Sequence, residues 1–276
     1  LAPIGELHIK TAIHPEKLIQ NILDADQYSF NRIDSILGSA RKEGAIALVG
    51  GGPSLSKTIH DIGGYDTVII AGSVHDHYLR NRTFYKDQDI YCIVCDADPI
   101  MAKYLQNWHP DVTYLVASQC DKSMFELLQD APKKYIWHAN SGDDFNKTVY
   151  KEGTKLIVGG CTIGTRAIGM AMAMGYKKIH LYGYDSCLDR NYKHHAYDFV
   201  DPDNETLGEI REIKINGEDS PLFRVAGYML AQIFDFQSIL GNYYNDLDIE
   251  VYGDGALAYL MKVAKEKAKE QLNGKS

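Results

Sequence analysis

The chain has 276 residues, 45% of them hydrophobic and 24% charged, enough to bury one large core and ordinary for a globular protein. Its formal net charge of −8 argues against an electrostatic grip on a nucleic-acid backbone or an anionic membrane. The longest apolar runs are far too short to cross a bilayer and residues 1–10 show no secretory pattern, so a cytoplasmic protein is expected.

Apolar residues at Leu18, Ile19, Ile22, Leu23, Ile33, Ile36 and Leu37 recur at helical spacing and predict a helix-rich lead-in over 15–42. Five apolar runs then read as buried strands, at 45–49, 67–71, 89–94, 112–117 and 134–138. Helices are expected between them at 55–62, 74–80, 100–107 and 122–128. A short strand at 155–158 leads to a helix of small residues at 162–174, and then to a strand at 178–182. Residues 189–208 are polar and irregular, and the wider stretch 189–224 is expected to form a lid loop, with a short strand at 213–216. A helix at 225–240, a strand at 249–252 and a closing helix at 256–272 with a Lys-rich solvated face complete the pattern. Strands alternating with helices at this spacing predict right-handed βαβ units. The expected fold is therefore α/β, a Rossmann-like three-layer architecture with a mostly parallel sheet. It divides into a helical lead-in (1–44), the main domain (45–255) and a C-terminal helix (256–276).

The five cysteines are an odd count scattered through apparent core segments, which fits free thiols in a reducing compartment. Cys92 and Cys95 form a C-x-x-C inside an apolar run, and one such pair lacks the ligands that zinc needs, so a buried structural role is expected.

In open parallel sheets ligands bind beyond the carboxyl ends of the strands, and the polar motifs of this chain gather there. Gly50, Gly51, Gly52, Pro53 and Ser54 follow a strand and open a helix. Glycines let backbone N–H groups approach a phosphate, and Ser54 could cap the helix; the plainer alternative is a tight strand–helix turn. Asp96 and Asp98, two apart after a strand, suit a Mg²⁺ ion completed by substrate phosphates, or else Asp98 caps a helix starting at Pro99. Gly160, Thr162, Gly164 and Arg166 form a second glycine-rich helix entrance, either for another anionic part of a ligand or for close helix packing. His138 ends a strand before Asn140 and Asp144; His194 and His195 lie in the long polar loop, where one of them could act as a general base. His180 reads as a satisfied core histidine, and His8, His14, His60 and His109 as peripheral.

The motifs GGGPSL, D-x-D, WHAN-SGDD, GG-x-T-x-G-x-RA and LYGYD together resemble the MptE-like 6-hydroxymethylpterin diphosphokinase family, over about residues 45–185. The chain is also similar in outline to Maf flagellin-modifying proteins and to sialyltransferases that use CMP-sugars. The resemblance implies a Rossmann-like transferase that uses ATP or another nucleotide with Mg²⁺. Carried over, Asp96 and Asp98 would hold the metal, and Gly51, Gly52 and Ser54 would contact phosphate. Beyond the resemblance, Gly50 and Asp185 are expected at the same site, and His138 or Asp144 is expected to orient the acceptor. The chain departs from the family pattern at Pro99, where a glycine is usual, and at Thr165, where an acidic residue is usual. Expected partners are a nucleotide and a small-molecule or glycan acceptor, with neither nucleic acid nor membrane, while homo-oligomerisation stays open. The alternatives are glycosyl transfer from a nucleotide sugar, with His194 or His195 as base, and a non-catalytic nucleotide-binding or assembly module.

Overall fold

The computed structural model describes residues 13–38, 40–83, 87–99, 101–198, 207–243 and 246–273. The first twelve residues of the expected lead-in, His8 among them, lie outside the described residues, as do Ile100, 199–206 of the expected lid loop and the last three residues.

The strands, in chain order, are β1 (Asn31–Arg32), β2 (Ala45–Val49), β3 (Thr67–Ala71), β4 (Asp89–Val94), β5 (Val112–Ala117), β6 (Lys134–Ala139), β7 (Leu156–Ile157), β8 (Lys178–Tyr182), β9 (Arg211–Lys214), β10 (Leu222–Val225) and β11 (Asp248–Tyr252). The main sheet runs β1-β6-β5-β4-β3-β2-β8-β11, with β7 paired beside the carboxyl end of β6. Every pairing in it is parallel. The central strands are near-continuous apolar runs, and Ile46, Leu48, Ile69, Ile70 and Leu115 are fully buried, as parallel strands covered on both faces require.

The helices are α1 (Pro15–Ala25), α2 (Leu55–Thr58), α3 (His75–Asn81), α4 (Met101–Tyr104), α5 (Lys122–Leu128), α6 (Asp143–Val149), α7 (Ile163–Ala173), α8 (Gly227–Tyr243) and α9 (Ala256–Asn273). From β2 the chain steps outward to β6, and right-handed crossovers put α2 to α5 on one face of the sheet. It then returns through α7 to β8 on the other side of β2 and goes on through α8 to β11, which places α7 and α8 on the opposite face. The direction of winding therefore reverses between β2 and β8. These strands end level, Val49 opposite Tyr182.

Several expected elements are corrected. The lead-in is not one helix: α1 stops at Ala25, and Tyr28 and Phe30 reach the ring of Phe125, at centroid distances of 4.9 and 5.2 Å. That anchorage lays β1 against β6 and turns Ile33 into the core through a short 3-10 turn. The helix expected at 55–62 is α2 followed by a 3-10 turn, Ile59–Gly64, because Ile59 and Ile62 are both buried at the i, i+3 spacing that such a turn eclipses. The helix expected at 100–107 is the shorter α4, and Asp98 does not border it; Asp96 Oδ1 instead accepts the Asp98 N–H at 3.0 Å. The polar motif around Asp143 forms α6, and β10 pairs with β9 as an antiparallel hairpin inside the expected lid loop.

Gly169 lies midway along α7, where any Cβ would collide with the Val158 carbonyl. We predict that Gly169→Ala lowers stability by about 1–3 kcal/mol, read as a lower urea midpoint with an unchanged slope.

Candidate functional site

The winding reverses between β2 and β8, and sheets of this kind bind ligands in the crevice beyond the carboxyl ends of the strands at such a point. The Gly50–Ser54 turn and the Gly183–Asp185 turn meet there. Gly50 N–H donates to Tyr182 C=O at 2.8 Å and Gly52 N–H to Gly183 C=O at 2.9 Å. The buried carboxylate of Asp185 accepts both the Ser54 N–H at 2.9 Å and the Ser54 hydroxyl at 3.0 Å through Oδ2. Ser54 therefore does not cap α2 with its own side chain; Asp185 satisfies that end of the chain. Burial raises the Asp185 carboxyl above its ordinary value, and the two Ser54 bonds pull it back. The glycines are needed for this approach. A Cβ on Gly50 would come within 2.7 Å of the Gly183 oxygen, and one on Gly52 would enter the Asp185 carboxylate.

The polar loop after β8 folds back over this turn. Ala196 N–H donates to Gly51 C=O at 2.9 Å, and His195 Nδ1 lies 3.1 Å from the same oxygen. Tyr197 stacks on His195 with centroids 5.0 Å apart and donates its hydroxyl to Ser73 C=O at 2.7 Å. His194 is buried, its ring 4.2 Å from that of His195. A carbonyl only accepts, so Nδ1 of His195 carries the hydrogen and Nε2 is the acceptor nitrogen. Burial, with the neighbouring His194, lowers the His195 pKa to about 3. The ring is neutral at physiological pH.

Two strands along the rim, about 10 Å from β2 at ordinary strand spacing, lies the Asp96–Asp98 turn after β4. Asp96 is half-buried, and its carboxyl is raised by burial and by the Asp98 charge, while the Asp98 N–H bond works against both. Asp98 is exposed. Among the described residues no group of three or more His, Cys, Asp or Glu converges on one point. Mg²⁺ takes one or two carboxylates and leaves its remaining positions to water and phosphate, so Asp96 and Asp98 are the residues of this rim that would hold it.

His138 is four strands from β2, about 19 Å away. It does not meet His195. Its Nε2 lies 2.7 Å from Arg32 Nη2 and its Nδ1 2.9 Å from Ser118 Oγ, so both ring nitrogens are engaged. Burial, then the Arg32 charge, lower its pKa to about 4. Asp144 is exposed in the first turn of α6.

The second glycine-rich turn also holds an internal carboxylate. Asp235 of α8 accepts the Cys161 N–H at 2.6 Å, and a Cβ on Gly160 would overlap it. Thr162 caps α7 and forms a reciprocal capping box with Thr165, which accounts for the threonine at the position where the family is usually acidic. Gly164 lies against Tyr184 and Gln232, and Arg166 Nη1 donates to Asn140 C=O at 3.2 Å. Sequence reasoning missed Asp235, Ser118, Tyr150 and Arg32. Only Asp235 carries a local signal, a lone acid in the apolar helix segment Ile233–Phe236.

The folded pKa values of His138 and His195 lie below the ordinary 6.5, so the unfolded chain binds protons that the folded chain refuses. Stability is therefore full above about pH 6.5 and lost as pH falls toward about 4. Urea midpoints should drop between about pH 7 and about pH 5, with a shallower drop in His138→Gln; a flat profile would contradict the assignment.

The model of the MptE-like family, described as 6-hydroxymethylpterin diphosphokinase MptE-like, matches residues 16–191, well over half of the chain. No curated protein matches at a significant level. The structure of a Maf glycosyltransferase from Magnetospirillum magneticum AMB-1 superposes with a TM-score of 0.63 at 14% identity, covering 87% of this chain and 37% of that one. This chain thus shares that protein's fold over little more than a third of its length. A mammalian sialyltransferase aligns with a TM-score of 0.42 at 12% identity, over 88% of this chain and 80% of that one. With a mostly parallel sheet, the glycine turn after β2 and the family match over both glycine-rich helix entrances, the chain belongs to the MptE-like family.

Proposed function

We propose that this protein is a nucleotide-dependent transferase that delivers a group to a hydroxyl acceptor at the crevice between β2 and β8. Membership of a family described as a diphosphokinase supports group transfer, and the fold shared with a glycosyltransferase agrees with it. The observation that carries the reading is His195 held on the Gly51 carbonyl. With its hydrogen on Nδ1, Nε2 is the nitrogen that would take a proton from an acceptor hydroxyl, and since burial holds the pKa at about 3, the charge so formed would have to be stabilised by the anionic substrate. The loop 193–197 that carries it covers the glycine turn, which limits water at the reacting centre.

The donor in this reading is ATP, and the transferred group is a diphosphoryl group. Asp96 and Asp98 would hold Mg²⁺, which when bound neutralises phosphate charge. Asp185 keeps the two turns of the crevice together, and because the Gly50, Gly52 and Ser54 N–H groups are bonded within the chain, the metal at the rim would take the phosphates in this reading. A second reading, glycosyl transfer from a nucleotide sugar, is favoured by the same neutral His195, because a hydroxyl attacking a sugar carbon needs a base more than it needs a metal. Acceptor and pathway are outside both readings.

Thermal-shift titrations separate the donors, since a ligand that binds only the folded chain raises its melting temperature. Stabilisation by ATP that needs Mg²⁺ and is lost in Asp96→Ala supports diphosphoryl transfer; stabilisation by CMP that survives EDTA supports glycosyl transfer. No shift with either would sink the nucleotide site. Once turnover is detected, His195→Ala should slow it by about 10²–10⁴-fold, the usual contribution of a general base, with little change in nucleotide affinity.

A further inference from the structure

We infer that Tyr150 is a substrate-binding hydroxyl, aimed by a directional hydrogen-bond relay that begins at Arg32, and that with Arg166 it holds a phosphate oxygen of the substrate. The inference rests on the transferase reading and names a part of the rim to which that reading assigns no contact.

The direction of the relay follows from its first member. A guanidinium only donates, so Arg32 Nη2, 2.7 Å from His138 Nε2, makes that nitrogen the acceptor. The neutral ring then carries its hydrogen on Nδ1 and donates it to Ser118 Oγ at 2.9 Å. Ser118 is fully buried, and among the described residues its hydroxyl has two hydrogen-bond partners, His138 and Tyr150. A buried hydroxyl hydrogen left without an acceptor is costly, so Ser118 donates to Tyr150 Oη at 3.3 Å. The hydrogen of Tyr150 must therefore point away from Ser118. Packing fixes the phenol as well, for its ring lies 4.9 Å from that of His138.

Placement points to a ligand. Ser118 follows β5, His138 is in β6 and Tyr150 follows α6, so the relay ends on the carboxyl rim beside the Cys95–Asp96 turn. The Arg166 charge acts on both Tyr150 and Cys95, and its Nη1 donates to Asn140 C=O at 3.2 Å. Burial raises the Tyr150 phenol while the Ser118 bond lowers it, the sign expected when Ser118 is the donor. Tyr150 is thus a protonated, half-buried donor at neutral pH that feels the Arg166 charge. A phenol donor that feels the Arg166 charge, on the same rim as the Asp96–Asp98 turn, selects an anionic oxygen. His138 never touches substrate here; it positions Tyr150 through Ser118.

The test uses the full chain and isothermal titration with ATP plus Mg²⁺, CMP, and inorganic pyrophosphate plus Mg²⁺. Tyr150→Phe keeps the ring and removes only the hydroxyl, and should weaken binding of the phosphate ligand by about tenfold or more, the range for a hydrogen bond to a charged group. Ser118→Ala should weaken it in the same direction, and the double variant should be no worse than Tyr150→Phe alone, the mark of one relay rather than two independent losses. Melting curves of each variant show that the fold is kept, and Arg166→Gln gives a second removal at the same spot. Wild-type binding of pyrophosphate alone, lost in Tyr150→Phe, would support the inference while sinking the nucleotide reading. Unchanged affinity in both Tyr150→Phe and Arg166→Gln would overturn it, as would a wild-type chain that binds none of the three probes.

Discussion

The fold turns on one buried carboxylate. Asp185 leaves the end of β8 and takes the backbone and side-chain hydrogens of Ser54 at the end of β2, joining the two strands at which the sheet reverses its winding. A buried charge is tolerated only where such bonds compensate it. The glycines at 50, 52 and 183 follow from this closeness, since each would place a Cβ on the opposite turn. Asp185 also accepts the Ala256 N–H through its backbone carbonyl at 2.7 Å, so the start of α9 is tied to the same point. Three hydrogen bonds thus converge on Asp185, from the Ser54 N–H, the Ser54 hydroxyl and the Ala256 N–H.

Above that floor the polar residues divide along the rim. His195 and Tyr197 lie over β2, the two aspartates follow β4, and the Arg32–His138–Ser118–Tyr150 relay runs from β1 through β6 and the end of β5 to the residue after α6. The two glycine-rich turns are alike in a further respect: both are occupied by carboxylates of the chain itself, Asp185 and Asp235. Their glycines thus serve close packing. Phosphate contact at Ser54 would have to compete with Asp185.

Much of this was legible in the amino-acid sequence because parallel strands are buried on both faces. The apolar runs at 89–94, 112–117 and 178–182 coincide with β4, β5 and β8 residue for residue. The lead-in misled because Tyr28 and Phe30 answer to Phe125, about a hundred residues away, and helical periodicity has no knowledge of such a partner. The glycine turns were found but their chemistry was not, since nothing local says that Asp185 or Asp235 will arrive to fill them. His138 was singled out from its place at a strand end. That both its nitrogens are engaged, and that its influence passes to Tyr150, depends on Arg32 from an edge strand too short to stand out in the sequence.

Hydrogen exchange, with and without ATP plus Mg²⁺ or CMP, tests most directly whether the nucleotide lies in the crevice under the His195 loop. The account predicts new protection in amides of 50–55, 183–186 and 193–197. Protection gathered instead along the groove between α7 and α8, around Ile168, Met172 and Ile239, with the His195 loop unchanged, would contradict it.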